Sequence, residues 1–208
     1  MITTDMTPLF PLYAIDRLRM STDGTGVTAL VCAQGCPLDC KYCINPKSKP
    51  FDAKINVSPE QLYEKVKIDG LYYTATGGGV TFGGGEPLIH ADFIAAFRAI
   101  IPKEWRIYAE SSLFVPEENV YTAAKAIDHF YIDIKDTDCG IYKAYTGHDN
   151  GKVMKNLKIL VNEAGADKIT VRVPLIPGFN TDDDRKRTVS LLKDTGITDF
   201  DQFDYVTR

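Results

Sequence analysis

Four cysteines lie within twelve positions, at Cys32, Cys36, Cys40 and Cys43, while Cys139 stands alone. Thiols packed this tightly in sequence point to a metal, because an odd total of five in an unexported chain argues against a disulfide framework. Cys36-x-x-x-Cys40-x-x-Cys43 supplies three thiolates within eight residues. A structural zinc site takes four protein ligands, whereas an iron–sulfur cubane can be held by cysteines with one iron left open. Cys32 falls inside an apolar run and reads as a reduced core thiol. Cys139 falls among Asp136, Thr137, Asp138 and Gly140 and reads as an ordinary loop thiol. The spacing therefore favours three ligands and a cluster, with zinc as the alternative.

Other residues that carry chemistry recur at intervals along the chain. Gly83-Gly84-Gly85-Glu86-Pro87 joins a glycine turn, where backbone can approach a ligand closely, to a carboxylate that complements an ammonium. Glu110-Ser111 offers an acid beside a hydroxyl. Asp133-Ile134-Lys135 places an acid and an amine on one face of a strand, with Phe130, Ile132 and Ile134 on the other. Left at the surface, that pair would be an ion pair worth at most ~1 kcal/mol. Arg172 precedes Pro174-Leu175-Ile176-Pro177-Gly178.

Alternating short apolar runs and amphipathic segments must position these groups. Strands are predicted at Val27–Cys32, Gly79–Gly83, Arg106–Glu110, Phe130–Lys135, Ile169–Pro174 and Phe200–Val206. Helices are predicted from a capping box at Ser58-Pro59-Glu60-Gln61, and over Phe93–Ile101, Pro116–Ile127, Lys152–Ala164 and Asp182–Thr195, the last stopped by Gly196. Six strands alternating with five helices make parallel βαβ units, in an open doubly wound sheet or a partial parallel barrel. In either architecture function sits beyond the carboxyl ends of the strands. Every chemically unusual cluster falls on that rim, which is the signature of an enzyme.

Composition bounds the reading. With 208 residues the chain suits one domain, residues 1–208, and its 44% apolar content excludes wholesale disorder. A net charge of −4 argues against a dedicated nucleic-acid binder, and no apolar run approaches a membrane span. The segment Met1–Pro11 has no signal-peptide pattern, so the expected location is cytoplasmic.

Cys36-Pro37-Leu38-Asp39-Cys40-Lys41-Tyr42-Cys43 resembles the cluster motif of the radical S-adenosylmethionine superfamily, including the aromatic residue before the last cysteine. Gly84-Gly85-Glu86-Pro87, some forty residues on, resembles that family's glycine-rich loop. The likeness narrows to glycyl-radical-enzyme activating enzymes, the pyruvate formate-lyase activase type. Its further carriers are Ser21–Val27, Gln34–Pro37, Cys43–Pro46, Gly77–Phe82, Tyr145-Thr146-Gly147 with Asn150, and Arg172–Asn180, so it spans about Ser21 to Asn180. The resemblance implies an α/β fold, a partial (β/α)6 parallel barrel of the radical SAM type. It implies a 4Fe–4S cluster on Cys36, Cys40 and Cys43, with S-adenosylmethionine on the fourth iron. The backbone near Tyr42 would contact the adenine, and Gly84, Gly85 and Glu86 would lie by the cofactor's amino group. Lys135 would face its carboxylate, and Asp133 its ribose or a monovalent cation. Glu110 and Ser111 would supply another cofactor or cation contact, and Arg172 a charge for the cofactor or a partner peptide. The implied partners are a glycyl radical enzyme as protein substrate and a flavodoxin or ferredoxin as electron donor, with the chain itself a monomer.

Some positions depart from that family. Gly83 stands where a serine is usual, Val27-Thr28 where isoleucine–arginine is, and Leu113 where glycine is common. No histidine falls in Asp199–Arg208, where related enzymes place one near the cofactor. His90, His129 and His148 read as a helix start, a strand start and a loop. The absence of further CxxC clusters implies a single cluster. The alternatives are a radical enzyme acting on a small molecule, the anaerobic ribonucleotide reductase activase, whose usual Gly-Gly-Asp-Pro is contradicted by Glu86, and an iron–sulfur or zinc module without turnover.

Overall fold

Alternation along the strands decides which side of the sheet is dry. In a computed structural model describing residues 7–20 and 22–205, Phe130 and Ile132 are fully buried under helices, while Tyr131 and Asp133 turn to the other face. Met1–Met6, Ser21 of the Ser21–Val27 motif, and Val206 at the end of the expected last strand lie outside the described residues.

The strands are β1 (Phe10–Met20), β2 (Val27–Ala33), β3 (Asn56–Val57), β4 (Gly79–Gly84), β5 (Arg106–Ser111), β6 (His129–Asp133), β7 (Ile169–Leu175) and β8 (Asp199–Asp204). The helices are α1 (Pro59–Val66), α2 (Gly70–Thr76), α3 (Ala91–Ile100), α4 (Glu117–Ala126), α5 (Cys139–Thr146), α6 (Gly151–Ala164) and α7 (Asp182–Lys193). They form one sheet in the order β3-β1-β2-β4-β5-β6-β7-β8. From β2 to β8 every pairing is parallel, and β1 and β3 add an antiparallel edge beside β2. The six parallel strands are the six expected, each crossover carries helix, and the fold is a mostly parallel α/β sheet of the partial-barrel kind.

The capping box at α1 forms as its sequence requires: Gln61 N–H donates to the Ser58 hydroxyl and the Gln61 side chain returns to the Ser58 N–H. Three segments differ from the sequence reading. Strand β1 had not been expected, because its alternation breaks where the register shifts between Asp16 and Arg19, with Leu18 at φ 56°. Helix α2 had not been expected either, and ends on Gly77 in the left-handed region. Cys139 belongs to the first turn of α5, not to a loop, because Asp138 caps the Ile141 N–H.

The helix-facing core is aromatic where β4 meets α3: Phe82 packs edge-on to Phe97 at 5.7 Å, and Phe10 of β1 stands on both Phe82 and His90. His90 sits at the start of α3, and burial pulls its pKa below the ordinary value. A depressed imidazole favours the neutral folded state, so its contribution is intact above the unfolded value of ~6.5 and is lost as pH falls through it. Between pH 7.5 and 5.5 the wild type should therefore lose on the order of 1 kcal/mol relative to His90→Phe, read from urea melts at both pH values. An unchanged difference between the two proteins would show that the ring protonates freely when folded.

Candidate functional site

The inner face of β4–β8 carries the charged side chains, and the loops beyond the strands close over them. A cavity of about 330 Å³ at the carboxyl ends is lined by Cys36, Cys40 and Cys43, by Gly84, Gly85 and Glu86, and by Glu110, Ser111, Asp133, Lys135 and Arg172. Of the residues that the resemblance assigns to the cluster or the cofactor, all but Tyr42 line this one space. The Tyr42 ring instead packs behind it, edge-on to Phe179 at 5.7 Å and to Tyr145 at 6.0 Å. A larger cavity of about 610 Å³ opens near Arg106, Asp128 and His129, where β5 and β6 begin. It contains none of the cysteines, and chemistry outweighs size in choosing the site.

The cysteine loop is held by backbone on both flanks. Gly35 and Cys36 N–H groups donate to the Ser48 and Lys49 carbonyls at 2.7 and 3.0 Å, and the Gln34 amide donates to the Pro50 carbonyl at 2.7 Å. On the far side, Asp39 and Lys41 N–H groups donate to the Thr146 and Tyr145 carbonyls at the end of α5. The glycine loop lies directly against it: Gly85 and Glu86 N–H groups donate to the Ala33 and Gly35 carbonyls, each at 2.9 Å. A Cβ on Gly85 would stand 2.3 Å from the Gly35 carbonyl oxygen, so glycine here permits loop-to-loop contact.

All five thiols are free, and burial pushes Cys36 up to about 12 and Cys32 up to about 11. Cys32 is buried within β2 and lines no part of the cavity, as a core thiol would. Burial disfavours the free Cys36 thiolate, so a metal group there would have to displace its proton. Among the described residues no three His, Cys, Asp or Glu side chains converge closely enough for one ion. A cubane hangs each thiolate on a different iron and needs no such point, so the donor set fits a cluster.

Glu86 does something the sequence does not disclose. Its carboxylate is 1% exposed and accepts from four protein donors: Ser111 Oγ at 2.7 Å, Leu88 N at 3.2 Å, Ser112 Oγ at 2.6 Å and Ser112 N at 2.9 Å. Burial raises its pKa, and these bonds oppose the rise. It ties the glycine loop to the turn after β5. In that turn Leu113 holds φ 58°, a conformation glycine adopts freely, and its fully buried side chain compensates. Glu86→Gln should cost about 1–3 kcal/mol in denaturant melts, because either amide orientation sets an NH2 against the Leu88 or the Ser112 N–H. A neutral result would mean that the loop relaxes around the amide.

The remaining charges are paired. Arg172 Nη1 meets Glu110 Oε1 at 2.6 Å, and its guanidinium lies 4.8 Å from the Tyr131 ring. Burial works against that charge, but Glu110 and Asp133 outweigh it and hold Arg172 above its ordinary value. Lys135 lies just past the end of β6, and with its side chain 7% exposed it is no surface lysine. Its ammonium stands 3.2 Å from Asp133 and donates to the Tyr205 hydroxyl at 2.9 Å. Burial opposes its charge too, yet Asp133 and Tyr205 keep its pKa well above the usual lysine value.

Several lining residues escape sequence reading. Arg19 and Asp23 pair with each other at the edge of the cavity. Arg19 lies on the unforeseen β1, just before the Ser21–Val27 motif, and Asp23 was quoted only as a letter of that motif. Asn150 and Asn180, quoted only as motif letters, belong to a buried scaffold around Asp136. Asn180 donates to the Asp136 carboxylate at 3.2 Å and accepts from the Ile176 N–H at 2.6 Å, while Asn150 donates to the Thr137 carbonyl at 2.7 Å.

Residues 30–192 match the model of the radical SAM superfamily. The chain is 38% identical over 150 residues to the (2S)-3-sulfopropanediol dehydratase activating enzyme of Klebsiella oxytoca, covering 69% of this chain and 47% of that protein. It is 28% identical over 236 residues to the trans-4-hydroxy-L-proline dehydratase activating enzyme of Clostridioides difficile, covering 84% and 78%. It thus spans about half of the first relative's length and over three quarters of the second's. Streptococcus suis SuiB bound to S-adenosylmethionine superposes with a TM-score of 0.63 at 15% identity, over 83% of this chain and 39% of that one, and so shares the fold. Radical SAM proteins use a 4Fe–4S cluster together with S-adenosylmethionine, the two groups the sequence pattern implied. With the family model covering most of its length, this chain belongs to the radical SAM superfamily.

Proposed function

We propose that the chain activates a glycyl radical enzyme, drawing a hydrogen atom from a backbone glycine of that partner. The observation that carries the reading is the single cavity in which three thiols meet the glycine loop and the buried Lys135, with the glutamate, serine and aspartate of the rim around them. Cys36, Cys40 and Cys43 would hold the cluster. Lys135 offers a positive charge to a carboxylate, and Asp133 and Glu110 offer negative charge to an ammonium, a sulfonium or a monovalent cation. A reduced cluster held by Cys36, Cys40 and Cys43 would supply the one electron for cleaving S-adenosylmethionine, giving methionine and the hydrogen-atom acceptor that ends as 5′-deoxyadenosine. The relatives named as activating enzymes support the choice of a protein substrate, and Glu86, where ribonucleotide reductase activases read aspartate, argues against that one partner.

In this reading residues 1–208 act as one radical SAM domain, monomeric, in an anaerobic cytoplasm, with a flavodoxin or ferredoxin as electron donor. No helix among the described residues is long and apolar enough to cross a membrane. The test is anaerobic reconstitution: about four irons per chain, 5′-deoxyadenosine on reduction with S-adenosylmethionine, and a glycyl radical in a partner by electron paramagnetic resonance. Colourless protein holding one tight zinc would overturn the cluster. Cofactor cleavage without a protein radical would favour a small-molecule substrate.

A further inference from the structure

Tyr205 stands immediately beyond β8, at the end of the last parallel strand, and lines the cysteine cavity. Its own N–H donates to the Leu175 carbonyl at 2.9 Å, which fixes it across the ends of β7 and β8. Its ring is wedged beside Phe203 at 5.5 Å and Tyr145 at 6.1 Å. From that seat the phenol accepts a hydrogen bond from Lys135 Nζ at 2.9 Å, and the ammonium lies 5.4 Å from the ring centroid.

An ammonium has three N–H donors. Tyr205 takes one of them, Asp133 holds the ammonium at 3.2 Å as an ion pair, and among the described residues Lys135 makes no other side-chain hydrogen bond. A flexible four-carbon stem is thereby held by one directional hydrogen bond and one ion pair, with N–H donors left for a ligand in the cavity. Asp133 alone would let the ammonium swing about a single contact. We propose that Tyr205 is a positioning residue that aims Lys135 at a carboxylate in the cavity, and so sets the preference for a carboxylate-bearing ligand. This rests on the cofactor reading above. It also gives a role to the chain segment where the sequence lacks a histidine.

The experiment uses anaerobically reconstituted holoenzyme and measures binding of S-adenosylmethionine and of its decarboxylated analogue by equilibrium dialysis. Tyr205→Phe keeps the ring and removes only the hydroxyl, so folding and iron content should be unchanged. It should weaken S-adenosylmethionine about tenfold and leave the decarboxylated analogue within about twofold. Lys135→Met should weaken S-adenosylmethionine further, and adding Tyr205→Phe to it should cost nothing more. The electron paramagnetic resonance change of the reduced cluster on adding S-adenosylmethionine should need correspondingly more ligand in Tyr205→Phe.

Equal losses for both ligands would reduce Tyr205 to packing and overturn the proposal. So would an unchanged affinity for S-adenosylmethionine, or a further loss in the Lys135→Met background. Wild-type holoenzyme that binds neither compound would instead overturn the cofactor reading itself, a separate outcome.

Discussion

Alanine at Cys36, Cys40 or Cys43 should each take iron content from about four per chain to near none, with loss of the brown colour and of all 5′-deoxyadenosine formation. The three thiols share one cavity, and a cubane that loses one corner ligand exposes a second iron to solvent. Cys32→Ala and Cys139→Ala should retain the iron, because Cys32 is buried in β2 and Cys139 is exposed in the first turn of α5. Iron analysis and visible absorption of the five variants, purified without oxygen, check this. Iron loss in Cys32→Ala would make the ligand set four and reopen the case for zinc.

The second large effect is on stability. Arg172→Met should destabilise the fold by about 3 kcal/mol, the lower end of what a stranded buried partner costs. Arg172 and Glu110 side chains are 16% and 21% exposed, so Glu110 is left largely desolvated without its counter-charge. The double variant Arg172→Met/Glu110→Gln should recover more than half of that loss, since it removes the stranded charge. Denaturant melts of the two singles and the double form a thermodynamic cycle. Additive losses would mean that the 2.6 Å contact contributes nothing to stability.

Much of the site could be read directly because its chemistry is local in sequence. Three thiols within eight positions, and a glycine run ending in Glu86, state their purpose without the fold. Five of the six parallel strands were legible because each is a short apolar run followed in the chain by a helix signal, and β8 only as the segment left after the last helix. What stayed hidden depends on tertiary pairing. Strand β1 breaks its own alternation at Leu18, so no periodicity marks it. The capping signal of α5 at Asp138 is weakened by Gly140 in the first turn, although that helix anchors the cysteine loop. Glu86 reads as a ligand for an ammonium until its four internal donors are counted. For the Asp133–Lys135 pair, the place on the rim favours function over a surface ion pair, and the burial of Lys135 now argues the same way. Tyr205 has no motif at all: its place follows from β8 pairing with β7 through Leu175–Asp204.

The central claim, hydrogen abstraction from a partner's backbone glycine, is tested most directly by isotope transfer. A candidate glycyl radical enzyme carrying α-deuterated glycine is incubated with reduced holoenzyme and S-adenosylmethionine, and the 5′-deoxyadenosine is weighed by mass spectrometry. The account predicts one deuterium in the nucleoside together with a glycyl radical signal in the partner. Unlabelled 5′-deoxyadenosine, formed at the same rate with or without any such partner and with no protein radical, would contradict it.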